Sequence, residues 1–243
     1  MLTENHDLLT AEVKKHVEAD AVTQGEYWDR AAFKGCFIGC LAHSSEPKEL
    51  EDRYGVPVML ARVCENVFEH LPSDEAVAFF ADFPAAVGRD GKDLTRVVWA
   101  FLAEELRALP KVSTEIAAVI DPVVEGMDIL ARGDTWPEHS ADAAADAARA
   151  AARAAAPSYA ARYATRAEAA ARAADAAYAA AYAAAYAADA AYAATYAATR
   201  TAAEAATRAA AEADAADAAA DAARDAARQR QRDTLLRLIQ KAK

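Results

Sequence analysis

Between Ala141 and Arg228, 54 of 88 residues are alanine, and this run constrains the fold more than any other feature of the chain. Alanine has the highest helix propensity of all residues and is depleted in strands. Beyond Pro157 no glycine or proline follows in the sequence. The residues that are not alanine recur every three or four positions. Asp142, Asp146, Arg149 and Arg153 begin the pattern; Asp175, Tyr182, Asp189 and Tyr196 stand seven apart, and so do Arg200, Thr207, Asp214, Asp221 and Arg228. A repeat near 3.5 residues keeps one stripe on one side of a left-handed supercoil. The opposite side is an alanine seam, and small side chains let helix axes approach closely. One helix from Ser158 to Gln229 would span roughly 105 Å. A break near Asp189 or Thr199-Arg200-Thr201 would give a hairpin instead, and both arrangements stay open. Either way the seam needs a partner helix, from the same chain or a second copy.

Composition changes near residue 140. Residues 1–140 hold 26 acids and 13 bases, and residues 141–243 hold 12 acids and 14 bases, together the net charge of −11. The expected organisation is an acidic helical domain over 1–136 and an alanine-rich long-helix region over 137–243, broken at Pro157. The expected fold class is all-α: a short-helix N-terminal domain followed by long alanine-rich helices packed as a tight coiled coil or bundle. In the first region, Thr3 or Asn5 can cap a helix through Val13 and Val17. A second helix is expected from Tyr27 to Leu41. A third opens at Pro47 and breaks at Gly55-Val56-Pro57, and a fourth runs from Pro57 to Leu71. Ser73 has the chemistry of an N-cap, with Asp74 and Glu75 in the first turn. Gly88-Arg89-Asp90-Gly91 reads as a turn, Leu94 to Leu109 as an amphipathic helix, and residues 112–132 as another, with Asp121-Pro122 the place for a kink. No stretch alternates as a strand would.

These bulk properties exclude several function classes. A nucleic-acid-coating protein shows a strongly basic domain, and none is present. The polar, acidic start MLTENHDLLTAEVKKHVEAD has no apolar segment of a secretory signal. The alanine run is too weakly apolar to span a membrane, and Asp189 sits inside it. Three cysteines without framework spacing fit a reduced, cytoplasmic setting. No Ser-His-Asp set, phosphate-binding glycine loop or H-E-x-x-H occurs, so the reading is a binding protein rather than an enzyme, with no cofactor.

Three groups of residues are candidates for that binding. The first surrounds Pro157. Arg149 and Arg153 approach it from one side, and Ser158, Tyr159, Arg162, Tyr163 and Arg166 leave it on the other. A helix starting at Ser158 offers unpaired N–H groups to an anion. Arginine supplies bidentate donors for phosphate or carboxylate, and tyrosine a stacking surface. The same arginines could instead pair with the acidic N-terminal region. The second group is the ladder Tyr178, Tyr182 and Tyr186, either a face for a base or a protein partner or filler between alanine helices. The third is Cys36, Cys40 and His43, which on one helix would share a face at i, i+4 and i+7. Such a set could hold zinc with Cys64 or His70 as a fourth ligand, or the thiols could be small buried apolar groups beside Gly35 and Gly39. The basic residues Arg224, Arg228, Arg230, Arg232, Arg237, Lys241 and Lys243 read as a solvated helix end.

Residues 28–100 carry phrases that together resemble a family of uncharacterised phage and bacterial proteins: Gly35-Cys-x-x-Gly-Cys40, Gly55-Val-Pro57 with Leu60-Ala61-Arg62, Val67-Phe68-Glu69-His70-Leu71-Pro72, and Gly91-Lys-Asp-Leu-Thr-Arg-Val97. That family has GCxxGC, an FEGLP-like phrase and G-x-D-L-S/T-x-V; His70 stands where it tends to have Gly. The Ala/Tyr/Arg region separately resembles immunity proteins of bacterial toxin systems. Both resemblances imply a role in conflict between phage and bacterium. The function expected from them and from the residues is a phage counter-defence protein that sequesters a small anionic, nucleotide-like signalling ligand. The alternatives are an immunity or inhibitor protein that blocks a host or toxin protein, and a structural coiled-coil scaffold. A homo-oligomer is expected from the seams, without membrane or bulk nucleic-acid partners.

Overall fold

The structure, a computed structural model, describes residues 2–109, 114–144, 147 and 216–243. These are mostly helical, with one two-stranded sheet. In chain order they form α1 (His6–Glu18), β1 (Trp28–Asp29), β2 (Lys34–Gly35), α2 (Phe37–Ala42), α3 (Lys48–Tyr54), α4 (Val58–His70), α5 (Ser73–Val87), α6 (Val97–Arg107), α7 (Thr114–Arg132) and α8 (Ala216–Lys241). Residues 138–144 are also helical. The coiled-coil seam, the Pro157 break and the choice between one long helix and a hairpin fall on residues outside those described. Among the described residues, no helix is long and apolar enough to cross a membrane.

The chain divides into two compact units, Met1–Val97 with Arg228–Lys243, and Val98–Ala227. In the first, α1 packs on α2 and α5, α2 on α3 and α4, and α4 on α5. Phe37, at the first residue of α2, is fully buried and lies within 5.0–6.3 Å, centroid to centroid, of Phe68, Phe79, Phe80 and Phe83. One aromatic side chain thus joins α2 to α4 and α5 in edge, tilted and stacked contacts. In the second unit, α7 continues through Pro122, Arg107 of α6 pairs with Asp128 of α7, and a Cβ on Gly126 would strike the Trp136 ring.

Four local expectations are corrected. The Tyr27–Leu41 stretch is not one helix. It is a hairpin followed by the six-residue α2, with Trp28 opposite Gly35 and Asp29 opposite Lys34. The Asp29 carboxylate accepts the N–H groups of Ala31 and Ala32 at 2.8 and 3.1 Å, which fixes a turn where a helix was expected. Strands of two residues show no alternation, so the sequence had no strand signal to offer. Ser73 is not an N-cap; Pro72 holds that position, and the Ser73 hydroxyl donates to Gln24 at 3.1 Å. Neither Thr3 nor Asn5 caps α1 by its side chain. The α1 entry is capped from across the fold, His6 N–H donating to Asp90 at 2.8 Å. Thr3 instead pins the Gly88–Gly91 turn, accepting from Lys92 N–H at 2.8 Å and donating to Arg89 O at 2.9 Å.

The fourth correction concerns the basic C-terminal stretch, which is docked along one face while Arg230, Lys241 and Lys243 stay exposed. Leu235 and Ile239 are fully buried, Gln231 nearly so, and Arg232 pairs with Glu75 at 2.9 Å. The buried Lys92 ammonium donates to the carbonyls of Ile239 and Gln240, both at 2.9 Å, and to Ala86 at 3.3 Å. It therefore serves carbonyls that the last turn of α8 leaves without helical partners. Burial, and secondarily the Arg89 charge, lower its pKa. Lys92→Met keeps the aliphatic stem and removes the donors. It should cost about 2–3 kcal/mol, the scale of a charged hydrogen bond with a buried partner. Urea denaturation measures the loss, and faster proteolysis within residues 228–243 should accompany it.

Candidate functional site

The polar centre of the first unit is built from α1. Leu9, Glu12, Val13 and His16 are its buried residues, at i, i+3, i+4 and i+7. The helical period thus places a carboxylate and an imidazole in the stripe that faces the core. The C-cap of α2, His43, arrives opposite them. Glu12 Oε1 lies 2.8 Å from His43 Nε2 and 3.2 Å from His16 Nε2, and the two Nε2 atoms are 3.1 Å apart. The His16 side chain is fully buried, Glu12 nearly so, and His43 is 32% exposed.

Aromatic rings hold both imidazoles. His16 stacks on Phe33 at 4.6 Å and 10°, and His43 on Trp28 at 4.7 Å and 21°. Trp28 and Phe33 meet edge to face at 5.3 Å. Trp28 starts the hairpin and Phe33 closes its turn, so the hairpin is the wall of the site. Its position depends on α2. A Cβ at Gly35 or Gly39 would fall on the Tyr27 carbonyl oxygen, so only glycine lets helix and hairpin backbones touch there. Phe33 and His43 both stand at φ 55°, in the left-handed region that costs a non-glycine residue energy. Two residues that complete the cluster are thus held in a conformation that the surrounding packing must impose.

Protons satisfy all three atoms when both rings donate from Nε2 to the Glu12 carboxylate. An ionised carboxylate brings none, and each neutral imidazole brings one. If both rings donate to Glu12, the edge between them has no hydrogen bond; if one donates to the other, that ring leaves Glu12. With the ring protons on Nδ1 instead, where the buried His16 nitrogen has no partner, three lone pairs would face one point and a single cation could meet all three. Ligand atoms about 2.0–2.2 Å from zinc or iron stand roughly 2.9 Å apart at right angles and roughly 3.4 Å apart at tetrahedral angles. The observed edges of 2.8, 3.1 and 3.2 Å lie in and beside that range. Two histidines and one carboxylate are a ligand set for either metal.

The electrostatics suit a cation. Burial pushes the Glu12 carboxyl up, but the Lys15 hydrogen bond and the charges of His43, Lys15 and His16 outweigh it, so its pKa is lowered and the group is anionic. Burial is the main cause that lowers the His16 pKa, against the opposing pull of Glu12, which favours the neutral ring that a metal needs. Lys15 Nζ stands 3.3 Å from Glu12 Oε1 and 4.5 Å above the Phe33 ring.

The sequence candidates fall differently from expectation. Arg149, Arg153, Ser158, Tyr159, Arg162, Tyr163 and Arg166, and the ladder Tyr178, Tyr182 and Tyr186, lie outside the described residues. Cys36, Cys40 and His43 do not share a helix face, because Cys36 is the N-cap of α2 and His43 its C-cap in left-handed conformation. They belong to separate surroundings. His43 faces Glu12 and His16, and Cys36 faces Glu65 and Glu69. The Cys40 thiol donates to the Gly35 carbonyl at 3.1 Å. All three cysteines are buried, and burial is the main cause that raises their pKa values. Cys64 and His70 join neither cluster among the described residues. Glu12 and His16 were missed, although a Glu and a His inside the apolar stripe of an amphipathic helix are a signal that the sequence carries.

The second cluster is an acid pair, Glu65 buried and Glu69 half-buried. Glu65 Oε2 accepts the Ile38 N–H at 2.8 Å and so caps α2, and Glu69 Oε2 accepts Gly25 N–H at 2.8 Å. Burial raises the pKa of Glu65 to about 7; hydrogen bonds from Cys36 and Ile38 oppose this, and the Glu69 charge adds to it. Glu69 shifts in the same direction. A raised folded pKa means that the folded state binds more protons between about 4.5 and 7. Stability should therefore be highest at the acid end of that window and fall as pH rises through 7. Glu65→Gln keeps an acceptor for Ile38 and removes the charge. Urea midpoints at pH 5 and pH 8 should show a flatter slope for this variant, and at pH 8 a gain of up to about 3 kcal/mol. An unchanged slope would refute the shift.

Compared with known proteins, the chain matches no family model, no curated protein and no solved structure.

Proposed function

We propose that this chain is a metal-binding protein whose first unit holds a divalent transition-metal ion on Glu12, His16 and His43. One observation carries the reading: three ligand atoms of the right chemistry converge with edges of 2.8, 3.1 and 3.2 Å. Two aromatic rings orient the imidazoles in the place where a second shell of hydrogen-bond acceptors usually stands. Metal ligation would have to displace Lys15 from Glu12 Oε1, which lowers the net affinity. A protein freed of metal and titrated with Co(II) or Zn(II) should take up one ion per chain. Co(II) should give the visible bands of a nitrogen- and oxygen-ligated ion. His43→Asn tolerates the left-handed backbone and removes the imidazole. It should weaken binding about tenfold or more, as should Glu12→Gln. Failure to retain an ion, or unchanged affinity in both variants, would sink the reading.

A second reading rests on the sequence around Pro157. Its arginines and tyrosines favour sequestration of a small anionic, nucleotide-like ligand by a cytoplasmic phage counter-defence protein, with the alanine seams packed as a coiled coil in a homo-oligomer. The rivals stay the same, an immunity protein that blocks a host or toxin protein, and a scaffold. A bound nucleotide at a hundredfold excess over Kd should stabilise the protein by about 2.7 kcal/mol. A broad panel of linear and cyclic nucleotides that leaves the melting curve unmoved would remove this reading, and binding that survives Arg162→Ala with Arg166→Ala would remove the site.

A further inference from the structure

The charges around the Glu12 cluster point to what the bound ion would carry. This inference rests on the metal-binding reading and names the ligand class of the same site. Without metal, the Lys15 ammonium pairs with the Glu12 carboxylate at 3.3 Å. A divalent ion on neutral imidazoles would add two positive charges, and the sum becomes +2. Three protein ligands leave at least one coordination position open. His16 is sealed from water, so the open side lies on the flank where His43 is 32% exposed and the Lys15 side chain 53% exposed. Once the ion takes Glu12 Oε1, the Lys15 ammonium loses its carboxylate partner while Phe33 still lies beneath it. A cation that is half in water beside a metal with an open position is a two-point receptor for an oxyanion. One oxygen binds the ion, and another accepts hydrogen bonds from the ammonium.

We infer that the metal-loaded Glu12–His16–His43 centre binds a small phosphate-type or carboxylate oxyanion between the ion and Lys15. Chloride offers the metal one atom and cannot bridge to the lysine. Lysine here acts as a point charge on a flexible stem, so the site takes small tetrahedral or planar oxyanions without demanding one shape.

The test uses the full chain loaded with Co(II) and dialysed free of unbound ion. Methylphosphonate and acetate are titrated separately at constant ionic strength, with sodium chloride as the control. The visible bands should shift in a saturable way with the oxyanions, and chloride should not reproduce the shift. Lys15→Met, loaded to the same Co(II) content, should require at least fivefold more methylphosphonate for half the effect, and Lys15→Arg should recover most of the difference. Bands that no oxyanion moves, or an identical titration by Lys15→Met, would overturn the inference while leaving the metal site standing. A protein that takes up no Co(II) would overturn both.

Discussion

The first unit depends on one close approach, that of the Tyr27 carbonyl to the backbone at Gly35 of β2 and Gly39 of α2. No side chain longer than hydrogen fits there. The contact fixes the hairpin against a helix of only six residues, far too short to be stable by itself. That helix is held by its neighbours. Phe37 inserts among four phenylalanines, Glu65 accepts an N–H at its start, and the Tyr27 carbonyl lies against its Gly39. The same contact places Trp28 over His43 and Phe33 over His16. Packing chemistry and site chemistry are therefore one construction. The glycines that bring the backbones together also set the aromatic walls around the imidazoles.

Helix existence was legible wherever the apolar period was long. The helices at Val58–His70 and Val97–Arg107, and the break at Gly55-Val56-Pro57, follow the hydrophobic spacing and the punctuation. What failed was local capping. Ser73, Thr3 and Asn5 all have cap chemistry, and none caps its own helix. Their roles are taken over long sequence separations by Asp90 at the start of α1 and by Glu65 at the start of α2. A side chain more than twenty residues away leaves no local pattern. The Tyr27–Leu41 helix failed for a related reason. Asp29 makes its turn with the next residues, and that local bond competes with a helix of average propensity.

The candidate site was half visible. His43 was picked out, but its neighbours were sought among the cysteines that share its segment. The better signal lay in α1, where Glu12 and His16 occupy positions that the helical period assigns to the core. Buried polar groups are costly unless partnered. Two of them in one stripe imply a partner from elsewhere, and only the fold could show that it is His43. The cysteines illustrate the opposite case. Their spacing suggested chemistry, yet each lies in an apolar or acidic setting that keeps a thiol protonated.

The two acidic clusters differ in a way that separates structure from function. Both place carboxylates in the interior of the first unit. Burial raises the pKa values of Glu65 and Glu69, and a proton can neutralise such a pair at modest pH. Glu12 lies among three nitrogens, and its pKa is lowered. Its ionised form is favoured, so its surroundings supply positive charge. Lys15 supplies it from one side, although its side chain is half in water, and burial lowers the pKa of the opposing His16 imidazole. The buried carboxylate is thus balanced by a charge that can move away. That imbalance, more than the proximity of the three groups, gives a divalent cation its advantage at this site and leaves Lys15 available beside it.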